Sequence, residues 1–388
     1  MLLTGIKNLK SAVVPTALFE VNPSPHPTYP DVVYVERFGD MFKLVGGINQ
    51  PKLVECFGSD GRTYKQLVKG KDDLRQDAVM QQVFVLVDVL LKKNAPTKQR
   101  RLRMRTYKVI PLAMRSGLLE WVDNTQTLLE FLKKAHPLYR PQDITLDEAR
   151  TEMTTMDGKR YERYTAVTKN LKPVFRHFFF ENFCDPALWF EQRLRYTRSV
   201  ASSSMISYIV GLGDRHCSNI LIDKKTAEVV HIDLGVAFEQ GKMLKIPEVV
   251  PFRLTRDMVD GMGITGVEGI FRRSCEETMR VLRAESEAVM TILEVLQYDP
   301  LYNWSLSQQK INQLQEQGEI GAPSREEDNN KGPSNQEADR ALRRVKQKLQ
   351  GLEVGTFLNV SGQVNHLIQS ATDPHNLSKM FHGWFAVL

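Results

Sequence analysis

The sequence predicts an α+β fold, with a β-rich N-terminal part and a helical C-terminal part, and three observations support this. Short β-type runs, separated by Gly, Asn, Pro and Asp, fill residues 32–68. After residue 123, apolar residues repeat at helical spacing over long stretches. With 388 residues, 42% hydrophobic and 25% charged, the chain is long enough for two or three domains with a substantial core.

The composition excludes several classes of protein. The formal net charge of +6 is modest for this length, so it fits anionic nucleotides or acidic partners without indicating nucleic-acid binding. The apolar run VFVLVDVLL is too short to span a membrane and contains Asp88, and we find no N-terminal signal region. We therefore expect a soluble protein of a reducing compartment, cytosolic or nuclear. The four cysteines include no CxxC pair, which argues against zinc and a disulfide framework; they are Cys56, Cys184, Cys217 and Cys275.

Residues 1–30 are predicted to be a connector, because they end in the proline-rich stretch NPSPHPTYP. The β-rich lobe follows at residues 31–122. Its second β-type run continues into LVGGINQP, where Gly46 and Gly47 would let backbone amides approach an anion. A glycine pair in a strand is also typical of a β-bulge. Its position just before the lysine-bearing strand favours a loop that covers a nucleotide.

Lys69 ends the predicted strand TYKQLVK and precedes a predicted helix. A lone lysine at such a place is usually solvated. Here the helix carries Asp72 and Asp77 near its start, and protein kinases use a lysine–acid pair of this kind to orient the ATP phosphates. Helix capping is the alternative role for Asp72 and for Asp73.

A basic run begins at Lys98, and Arg101, Arg103 and Arg105 then alternate with apolar residues. The alternation predicts a solvated strand face. A nucleic-acid patch is the alternative, but no aromatic platform interleaves with the charges. We therefore expect no base-specific nucleic-acid binding.

Residues 123–312 are predicted to form the helical lobe. Asp123 is a helix-cap candidate before the amphipathic segment TQTLLEFLKKA, and residues 136–167 have the weak periodicity of a surface insertion. Asp185 and Pro186 have the residue types of an N-cap and a first helical position. The aromatic residues nearby are expected in the core; they are Phe175, Phe178, Phe179, Phe183, Trp189 and Phe190.

The stretch from Gly211 to Gly235, GLGDRHCSNILIDKKTAEVVHIDLG, predicts a helix end, a polar loop and two short strands joined by a turn. Such a hairpin would bring Asp214, Asn219 and Asp233 to one end of a ribbon. Protein kinases transfer phosphoryl groups with an Asp, an Asn five residues later, and a metal-binding Asp further on. The alternative is a polar hairpin whose side chains cap turns, but a turn needs one or two such residues.

The tripeptide Asp214-Arg215-His216 reverses the His-Arg-Asp of ordinary protein kinases. GDRHCSNIL followed by HIDLG instead resembles the catalytic and activation loops of the phosphatidylinositol 3-kinase-related protein kinases. LVKGKDDLRQDAVMQQVF, YTRSVASSS and HIDLGVAFEQGKMLKIPEVVPFRLTRDMVDGMGITGVEGIFRR also resemble this family, and the likeness runs from about Leu9 to the C-terminus. The resemblance implies a two-lobed kinase fold of the PI3/PI4-kinase type with a short helical FATC tail.

The resemblance also implies roles for named residues. Asn219 and Asp233 would hold Mg²⁺ or Mn²⁺, and Asp214 would position the acceptor hydroxyl or accept its proton. His216 would share that role or stabilise the transferring phosphoryl group. Lys69 would contact the ATP phosphates. The rest of the implied ATP site comprises the acidic candidates Asp72 and Asp77, the hinge residues Glu120, Trp121 and Val122, and also Gly46, Gly47, Tyr107, Leu221 and Ile232. A buried core position is the alternative for Trp121.

The catalytic loop is predicted at residues 211–219 and the activation loop at residues 231–255. Lipid kinases of the same superfamily tend to carry a basic activation loop, whereas this one offers Lys242 and Lys245 before its first proline. A protein substrate is therefore favoured. The family phosphorylates Ser or Thr followed by Gln, and Glu239 is a candidate acceptor for the glutamine carboxamide.

Residues 313–338 are polar and rich in Gly, Pro and charge, which predicts a disordered linker. A charged helix is predicted at residues 339–355 and a FATC module at residues 356–388. Aromatic residues of this module, among them Trp384 and Phe385, are expected to pack on the kinase core. The ending AVL departs from the second Trp that the family commonly has.

The sequence is therefore expected to encode an ATP-dependent serine/threonine protein kinase of the DNA-damage-response type, which signals double-strand breaks. A phosphoinositide lipid kinase and an inactive truncated docking module are the alternatives. In the family a large helical region precedes this point, so the chain is expected to be a fragment, a truncated gene product or a reduced form. The resemblance also implies a full-length homodimer recruited by a DNA-end sensor complex, no membrane partner, and a nuclear location with some protein in the cytoplasm.

Overall fold

The computed structural model describes residues 12–18, 32–46, 49–154, 159–244, 246–295, 335–381 and 384. Two compact units are present: unit 1 comprises residues 1–82 and 106–123, and unit 2 comprises residues 83–105 and 124–388. Most of the predicted connector and the greater part of the predicted linker lie outside the described residues, as do Gly47, Lys245 and Phe385.

Unit 1 contains an antiparallel sheet. Its strands are β1 (Val35–Phe38), β2 (Lys43–Leu44), β3 (Lys52–Gly58), β4 (Thr63–Gly70), β5 (Val109–Ala113) and β6 (Ser116–Glu120). The β-type runs predicted within residues 32–68 form the first four strands. The sheet order is β1-β3-β4-β6-β5, with β2 beside β3. Lys69 of β4 is paired with Gly117 of β6, so the predicted ATP lysine lies on an interior strand.

Helix α1 (Arg75–Lys93) follows β4, and the boundary between the units falls within it, after Gln82. At its start the Asp73 carboxylate accepts the Arg75 backbone N–H at 3.1 Å. Asp73 therefore supplies the polar group at the helix start, and Asp72 forms an ion pair with Lys69 instead. Along α1 the buried apolar side chains recur at helical spacing; they are Met80, Val83, Phe84, Val87 and Leu91.

Unit 2 is mainly helical. Its helices in residues 95–294 are α2 (Ala95–Gln99), α3 (Leu128–Tyr139), α4 (Leu146–Thr154), α5 (Arg160–Asn170), α6 (Arg176–Asn182), α7 (Pro186–Val210), α8 (Arg256–Gly261), α9 (Ile270–Ala284) and α10 (Ser286–Glu294). A three-stranded sheet, β7 (Thr125–Thr127), β8 (Ile220–Asp223) and β9 (Val229–His231), carries the predicted catalytic hairpin.

Helix α7 is buried on all sides over its second half, which explains its run of small residues. Asp185 caps its start by accepting the Leu188 N–H, and Pro186 is its first residue, as predicted. Ser202 lies 3.4 Å from Thr278 of α9, and the Cys275 thiol approaches the Ala201 carbonyl at 3.9 Å. Small side chains let the two helices approach closely, so α7 delivers its C-terminal end rigidly to the catalytic loop.

The aromatic core of unit 2 is confirmed in part. Phe175, Phe178 and Phe179 are at most 1% exposed and contact one another through stacked and edge-to-face rings. Phe183 is also buried. Phe190, however, is 51% exposed, because the first turns of α7 lie at the surface; Trp189 is half-buried.

Three local predictions for the middle of the chain are wrong. Asp123 does not cap a helix but forms a 2.8 Å ion pair with Lys65. Because β7 intervenes, α3 begins later and its cap is Thr127, which forms a capping box with Glu130. The stretch 136–167 is not a surface insertion, because α4 and α5 bury several of its side chains; they are Leu146, Ala149, Met153, Tyr164 and Val167.

The basic segment belongs to no assigned strand. Its alternation is real, since Leu102 and Met104 are buried. Its charges are not simply solvated, because each arginine is paired with a carboxylate; the pairs are Arg101–Glu191 at 3.3 Å, Arg103–Asp88 at 3.2 Å and Arg105–Glu228 at 3.1 Å. These pairs further weaken the nucleic-acid interpretation.

The C-terminal part adds helix α11 (Asn335–Gln350), a hairpin of β10 (Leu352–Glu353) and β11 (Thr356–Phe357), and helices α12 (Val360–Thr372) and α13 (Pro374–Lys379). Helix α11 ends earlier than the predicted helix 339–355, because Gly351 adopts a left-handed conformation with φ of 83°. Arg272 and Arg283 of α9 bond to α12 and the segment before it. Tyr161 of α5 stacks on His375 of α13 at 4.0 Å. The tail is thus bound to the helical core.

Candidate active site

The catalytic loop begins where α7 ends. Gly211 caps α7 in the left-handed conformation, with φ of 61°, and its N–H bonds to the carbonyls of Ser207 and Tyr208. The chain then runs beside the activation loop, since Gly213 N–H donates to Val236 O at 2.9 Å and Glu239 N–H donates to Gly211 O at 3.0 Å. Backbone hydrogen bonds therefore hold the catalytic loop and the activation loop against each other.

The structure brings together the three side chains predicted to meet at the end of the hairpin. Asn219 Nδ2 donates to Asp214 O at 2.9 Å and lies 3.4 Å from Asp214 Oδ2. Ile232 N–H donates to Asn219 O at 3.1 Å, which sets Asp233 next to the same turn. Asp214 and Asn219 are buried, whereas Asp233 is exposed and can reach a ligand.

Arg215 fastens the catalytic loop to the end of β9. It is 2% exposed, and its guanidinium donates from Nε to Gly213 O at 2.7 Å and from Nη1 to Ile232 O at 2.7 Å. Nη2 donates to Asp233 O. A planar guanidinium satisfies three diverging carbonyls at once, which a lysine cannot do. Arg215 thereby determines where the backbone of Asp233 lies relative to Asp214.

The two candidate proton acceptors differ in charge state. Burial, followed by the nearby Arg215, lowers the pKa of His216 to about 4, so the imidazole is neutral at pH 7. Its Nδ1 accepts the Ser218 N–H at 3.2 Å, which places the proton on Nε2. Burial raises the pKa of Asp214 to about 7, against the opposing effects of Arg215 and of the Trp384 side chain. Asp214 could therefore exchange a proton near neutral pH, whereas His216 is neutral there and offers its Nε2–H as a donor.

The donor set at this turn fits Mg²⁺ or Mn²⁺. Among the described residues, no group of three His, Cys, Asp or Glu side chains could hold a metal ion without help. Asn219 and Asp233 offer an amide oxygen and a carboxylate, which are hard ligands. Mg²⁺ is usually bound through one or two protein oxygens together with substrate phosphates. The residues present therefore fit a cation that arrives with a nucleotide.

The predicted phosphate-binding residues lie in unit 1. Lys69 Nζ is 3.3 Å from Asp72 Oδ2, and both side chains are partly accessible. Asp77 is 2% exposed, in the first turn of α1. Gly46 lies in the turn after β2, and a side-chain carbon there would meet no neighbour within 4 Å. The geometry therefore joins Lys69 to Asp72, while Asp77 occupies a buried helical position nearby in sequence.

The predicted hinge follows β6 in unit 1. Trp121 N–H donates to Lys65 O at 3.0 Å and Glu120 N–H donates to Lys108 O at 2.8 Å, so these two amides are already used. Trp121 is half-buried rather than a core residue. Tyr107 is 5% exposed, and its N–H donates to the Gln81 side chain at 3.1 Å. In unit 2, Leu221 and Ile232 are half-buried beside the catalytic turn.

Comparison with known proteins gives the family. Residues 63–306 match the family described as phosphatidylinositol 3- and 4-kinase, and residues 357–388 match the FATC domain. The chain belongs to the phosphatidylinositol 3- and 4-kinase family. The α+β fold of this type with a FATC tail, predicted from the sequence, is confirmed.

Several members of this family are similar over nearly the whole chain. Identity is 50% over 404 residues to the serine-protein kinase ATM of Sus scrofa, covering 99% of this chain and 13% of that protein. It is 51% over 390 residues to the serine/threonine-protein kinase ATM of Arabidopsis thaliana, covering 98% and 10%. The solved FAT and kinase domain of CtTel1 has a TM-score of 0.84 at 46% identity, covering 96% of this chain and 25% of that one. The chain thus spans a small part of the length of these relatives.

Glu239, the predicted substrate residue, lies at the start of a short 3-10 turn (Gln240–Met243) of the activation loop in this family member. It borders a cavity of about 180 Å³ whose lining includes Glu248, Arg344, Lys348 and His366. Lys348 Nζ lies 2.8 Å from Glu239 Oε1 and Lys242 Nζ lies 3.1 Å from the same oxygen. The carboxylate is therefore already ion-paired within the chain.

Three residues near the catalytic loop were not predicted from the sequence. Glu248 accepts the Asp214 N–H at 2.7 Å, and Lys348 reaches the activation loop from α11. Arg253 donates to Trp384 O at 3.0 Å. All three contacts join segments that are far apart in sequence, so no local spacing rule could have indicated them. In the described part of the chain no helix is both long and apolar enough to cross a bilayer.

Proposed function

We propose that the chain is an ATP-dependent protein kinase that transfers the γ-phosphoryl group to serine or threonine. The observation that carries the proposal is the buried Asp214–Asn219 contact beside the exposed Asp233. Arg215 donates to the backbone of the catalytic loop and to the Asp233 carbonyl. Its similarity to proteins named serine/threonine-protein kinases points the same way. The related proteins are much longer, so the activity of this chain by itself needs a direct test.

Each residue has a place in the proposed reaction. A bound Mg²⁺ or Mn²⁺ would neutralise charge on the nucleotide phosphates, and Asn219 and Asp233 would hold it. Asp214 would align the acceptor hydroxyl and take up its proton, with the neutral His216 either sharing this role or donating from Nε2 to the transferring phosphoryl group. Lys69, oriented by Asp72 or by Asp77, would bind the ATP phosphates. Glu120, Trp121 and Val122 would bind adenine.

We expect the acceptor to be Ser or Thr followed by Gln. Glu239 would accept a hydrogen bond from the glutamine carboxamide, because it borders a cavity beside the activation loop. Its Oε1 is paired with Lys348 and Lys242, so the second carboxylate oxygen is the proposed acceptor. Glu239→Gln should narrow the difference between Ser-Gln and Ser-Ala peptides without abolishing transfer.

The deciding experiment uses the purified chain, MnCl₂, labelled ATP and paired peptides that carry Ser-Gln or Ser-Ala at the same position. Transfer to the Ser-Gln peptide, with a clear preference over Ser-Ala, is the expected result. ATP binding by calorimetry without transfer to either peptide would support an inactive docking module. No ATP binding at all would end the kinase proposal.

A lipid kinase is the second candidate, because the matching family is described by phosphatidylinositol. Before its first proline, the described activation loop offers Lys242 as a basic residue, and Lys242 is already paired with Glu239. A phosphorylated inositol headgroup would therefore meet little unpaired positive charge there. Vesicles that contain phosphatidylinositol, assayed in parallel with the peptides, should show no labelled lipid.

The wider role is proposed from the relatives. Solved CtTel1 includes a complete dimer with C2 symmetry, so we propose that a longer form of this protein is a homodimer. We also propose that a DNA-end sensor complex recruits it, that it signals DNA double-strand breaks in the nucleus with some protein in the cytoplasm, and that it reads no bases itself. Redistribution of a tagged full-length protein to sites of induced breaks would test this; an unchanged distribution would argue against it.

A further inference from the structure

Glu248 of the activation loop is placed as a support for the catalytic loop. Its Oε1 accepts the backbone N–H of Asp214 at 2.7 Å, across 34 positions of sequence. The Glu248 N–H in turn donates to Gly241 O at 3.1 Å, which fixes its own backbone within the activation loop. One side chain therefore links the conformations of both loops.

Asp214 has a backbone that needs such support. Its φ is 54°, in the left-handed region that residues with a side chain adopt only at an energetic cost, although Asp tolerates it better than most. A residue in this conformation does not continue the hydrogen-bond pattern of a helix or a strand, so its N–H needs another acceptor. Glu248 gives this amide a carboxyl oxygen as acceptor in a largely buried place, where an unpaired N–H is unfavourable.

The surrounding residues leave room for the Glu248 carboxylate. A side-chain carbon at Gly213 would lie 2.8 Å from Glu248 Oε2, and one at Gly241 would lie 2.6 Å from Oε1. Neither glycine has φ in the left-handed region, so backbone conformation does not explain them. The space that two glycines leave free is the space that this carboxylate occupies.

We infer that Glu248 is a positioning residue, which holds Asp214 in its left-handed conformation by accepting the Asp214 amide N–H and so aligns the Asp214 carboxylate. This inference rests on the proposed kinase function for its effect on rate, but the hydrogen bond itself does not. This role requires an acceptor oxygen at the position of Glu248 Oε1 and does not require a negative charge. A substitution that keeps the oxygen should therefore preserve the role, whereas one that keeps only the charge should not.

The first test measures peptide phosphorylation by the 388-residue chain and its variants. Glu248→Ala should lower kcat about tenfold or more with KM for ATP changed less than about twofold, since alignment and not nucleotide binding is lost. Glu248→Gln keeps an acceptor oxygen and should restore most of the rate. Glu248→Asp keeps the carboxyl group, but its side chain is shorter by one methylene, so it should not restore the rate. Better activity in the Asp variant than in the Gln variant would overturn the inference.

A second variant leaves Glu248 in place. Gly241→Ala puts a methyl group where the carboxylate lies and should reproduce the loss of kcat. Because both changes remove the same contact, the double variant Gly241→Ala/Glu248→Ala should be no worse than the poorer single one. Gly39→Ala and Glu287→Ala are the matched controls: a methyl at Gly39 makes only ordinary contacts, and Glu287 is exposed. Additive losses would contradict the inference.

A readout that needs no activity separates this inference from the proposed function. The amide of Asp214 can be followed by NMR in the chain labelled with ¹⁵N-aspartate, and Asp214→Asn identifies its signal. Glu248→Ala and Glu248→Asp should shift this amide proton upfield and speed its exchange, whereas Glu248→Gln should change it less. An unmoved signal overturns the inference even if kcat falls. If the wild-type chain transfers no phosphate, the proposed function fails, but the Asp214 amide signal still tests whether the Asp214 N–H bonds to Glu248.

Discussion

Lys348 Nζ lies 2.8 Å from Glu239 Oε1, and this lysine of α11 is 1% exposed. The same Nζ donates to Tyr208 O at 2.8 Å, so one ammonium connects α11, the end of α7 and the activation loop. Burial lowers the pKa of Lys348 to about 8, in spite of the carboxylate beside it. Burial acts to raise the pKa of Glu239, but Lys348 and Lys242 lower it to about 2. Lys348 and Glu239 are therefore both charged at neutral pH.

Lys348→Met should destabilise the protein more than its loss of packing explains. Removing one partner of a buried ion pair typically costs about 3–5 kcal/mol when the other charge is left uncompensated. Lys242 stays 3.1 Å from the same Glu239 oxygen, so we expect the free energy of unfolding, measured with urea, to fall by an amount at the lower end, about 3 kcal/mol. Glu239→Gln in the same background removes the carboxylate charge and should recover part of the loss. A fall below about 1 kcal/mol in the single variant would show that the pair contributes little.

Asp233→Ala should abolish phosphoryl transfer and leave the fold intact. The Asp233 side chain is exposed, so its removal opens no cavity. It is one of two proposed oxygen ligands, and loss of a metal ligand should lower kcat below about one-hundredth of the wild-type value. The rate with Mn²⁺ and the thermal midpoint are the two measurements. Normal turnover in the variant would refute the metal role.

Arg215→Lys should damage both stability and catalysis despite keeping the charge. Three backbone carbonyls accept from the Arg215 guanidinium, and a lysine cannot reach all of them. Each buried carbonyl left without a donor costs about 1–3 kcal/mol. We expect a lower thermal midpoint together with a reduced kcat. A variant that keeps the wild-type rate would show that the position of Asp233 does not depend on Arg215.

The features predicted correctly from the sequence are local ones. Gly211 ends α7 because few other residues adopt the left-handed conformation without strain, and Asp185 caps the start of the same helix by a rule that spans three residues. The hairpin that follows was predictable from two apolar runs and a polar turn. It placed Asp214, Asn219 and Asp233 together without knowledge of any other element.

The features that were missed depend on contacts between distant segments. Glu248 was one acidic residue in an irregular loop, and its meeting with Asp214 follows from how the activation loop folds back. The stretch 136–167 lacked clear periodicity because α5 buries few side chains, yet Tyr161 in it supports α13. Periodicity and capping rules describe one element and not its neighbours, so such partners become visible in three dimensions.

The free energy of unfolding should fall as pH rises, and Glu248→Gln should remove the part of this fall that is due to Glu248. Burial raises the pKa of Glu248 to about 7 from an ordinary value of 4.5, although the Asp214 N–H and Arg215 oppose this. The folded state therefore binds this proton more tightly than the unfolded state. The resulting stabilisation is complete below pH 4.5 and is lost as pH rises through 7.

Urea unfolding at several pH values between 4.5 and 7.5 measures this effect. Relative to Glu248→Gln, the wild-type chain should lose on the order of 3 kcal/mol of unfolding free energy across the window. Glu287→Gln, at an exposed site, is the control and should track the wild type. A difference between wild type and Glu248→Gln that stays constant with pH would contradict the raised pKa.

Trp384→Ala should show how far the FATC tail supports the kinase unit. Trp384 is 6% exposed and packs with Met380 against Val250 of the activation loop, and Arg253 donates to its carbonyl at 3.0 Å. Removing a buried Trp side chain typically costs about 3–5 kcal/mol, so we expect the free energy of unfolding to fall by about 3 kcal/mol. Transfer should slow as well, because the activation loop loses this contact.

Two further variants separate packing from the polar effect of the indole at this position. Trp384→Phe keeps most of the buried ring but removes the indole N–H of the side chain that opposes the raised pKa of Asp214. We expect it to retain most of the stability while lowering kcat, whereas Phe357→Ala, at a residue that is 69% exposed, should leave both within experimental error. If Trp384→Phe keeps the wild-type kcat, the tail acts on the active site through packing and not through the indole N–H.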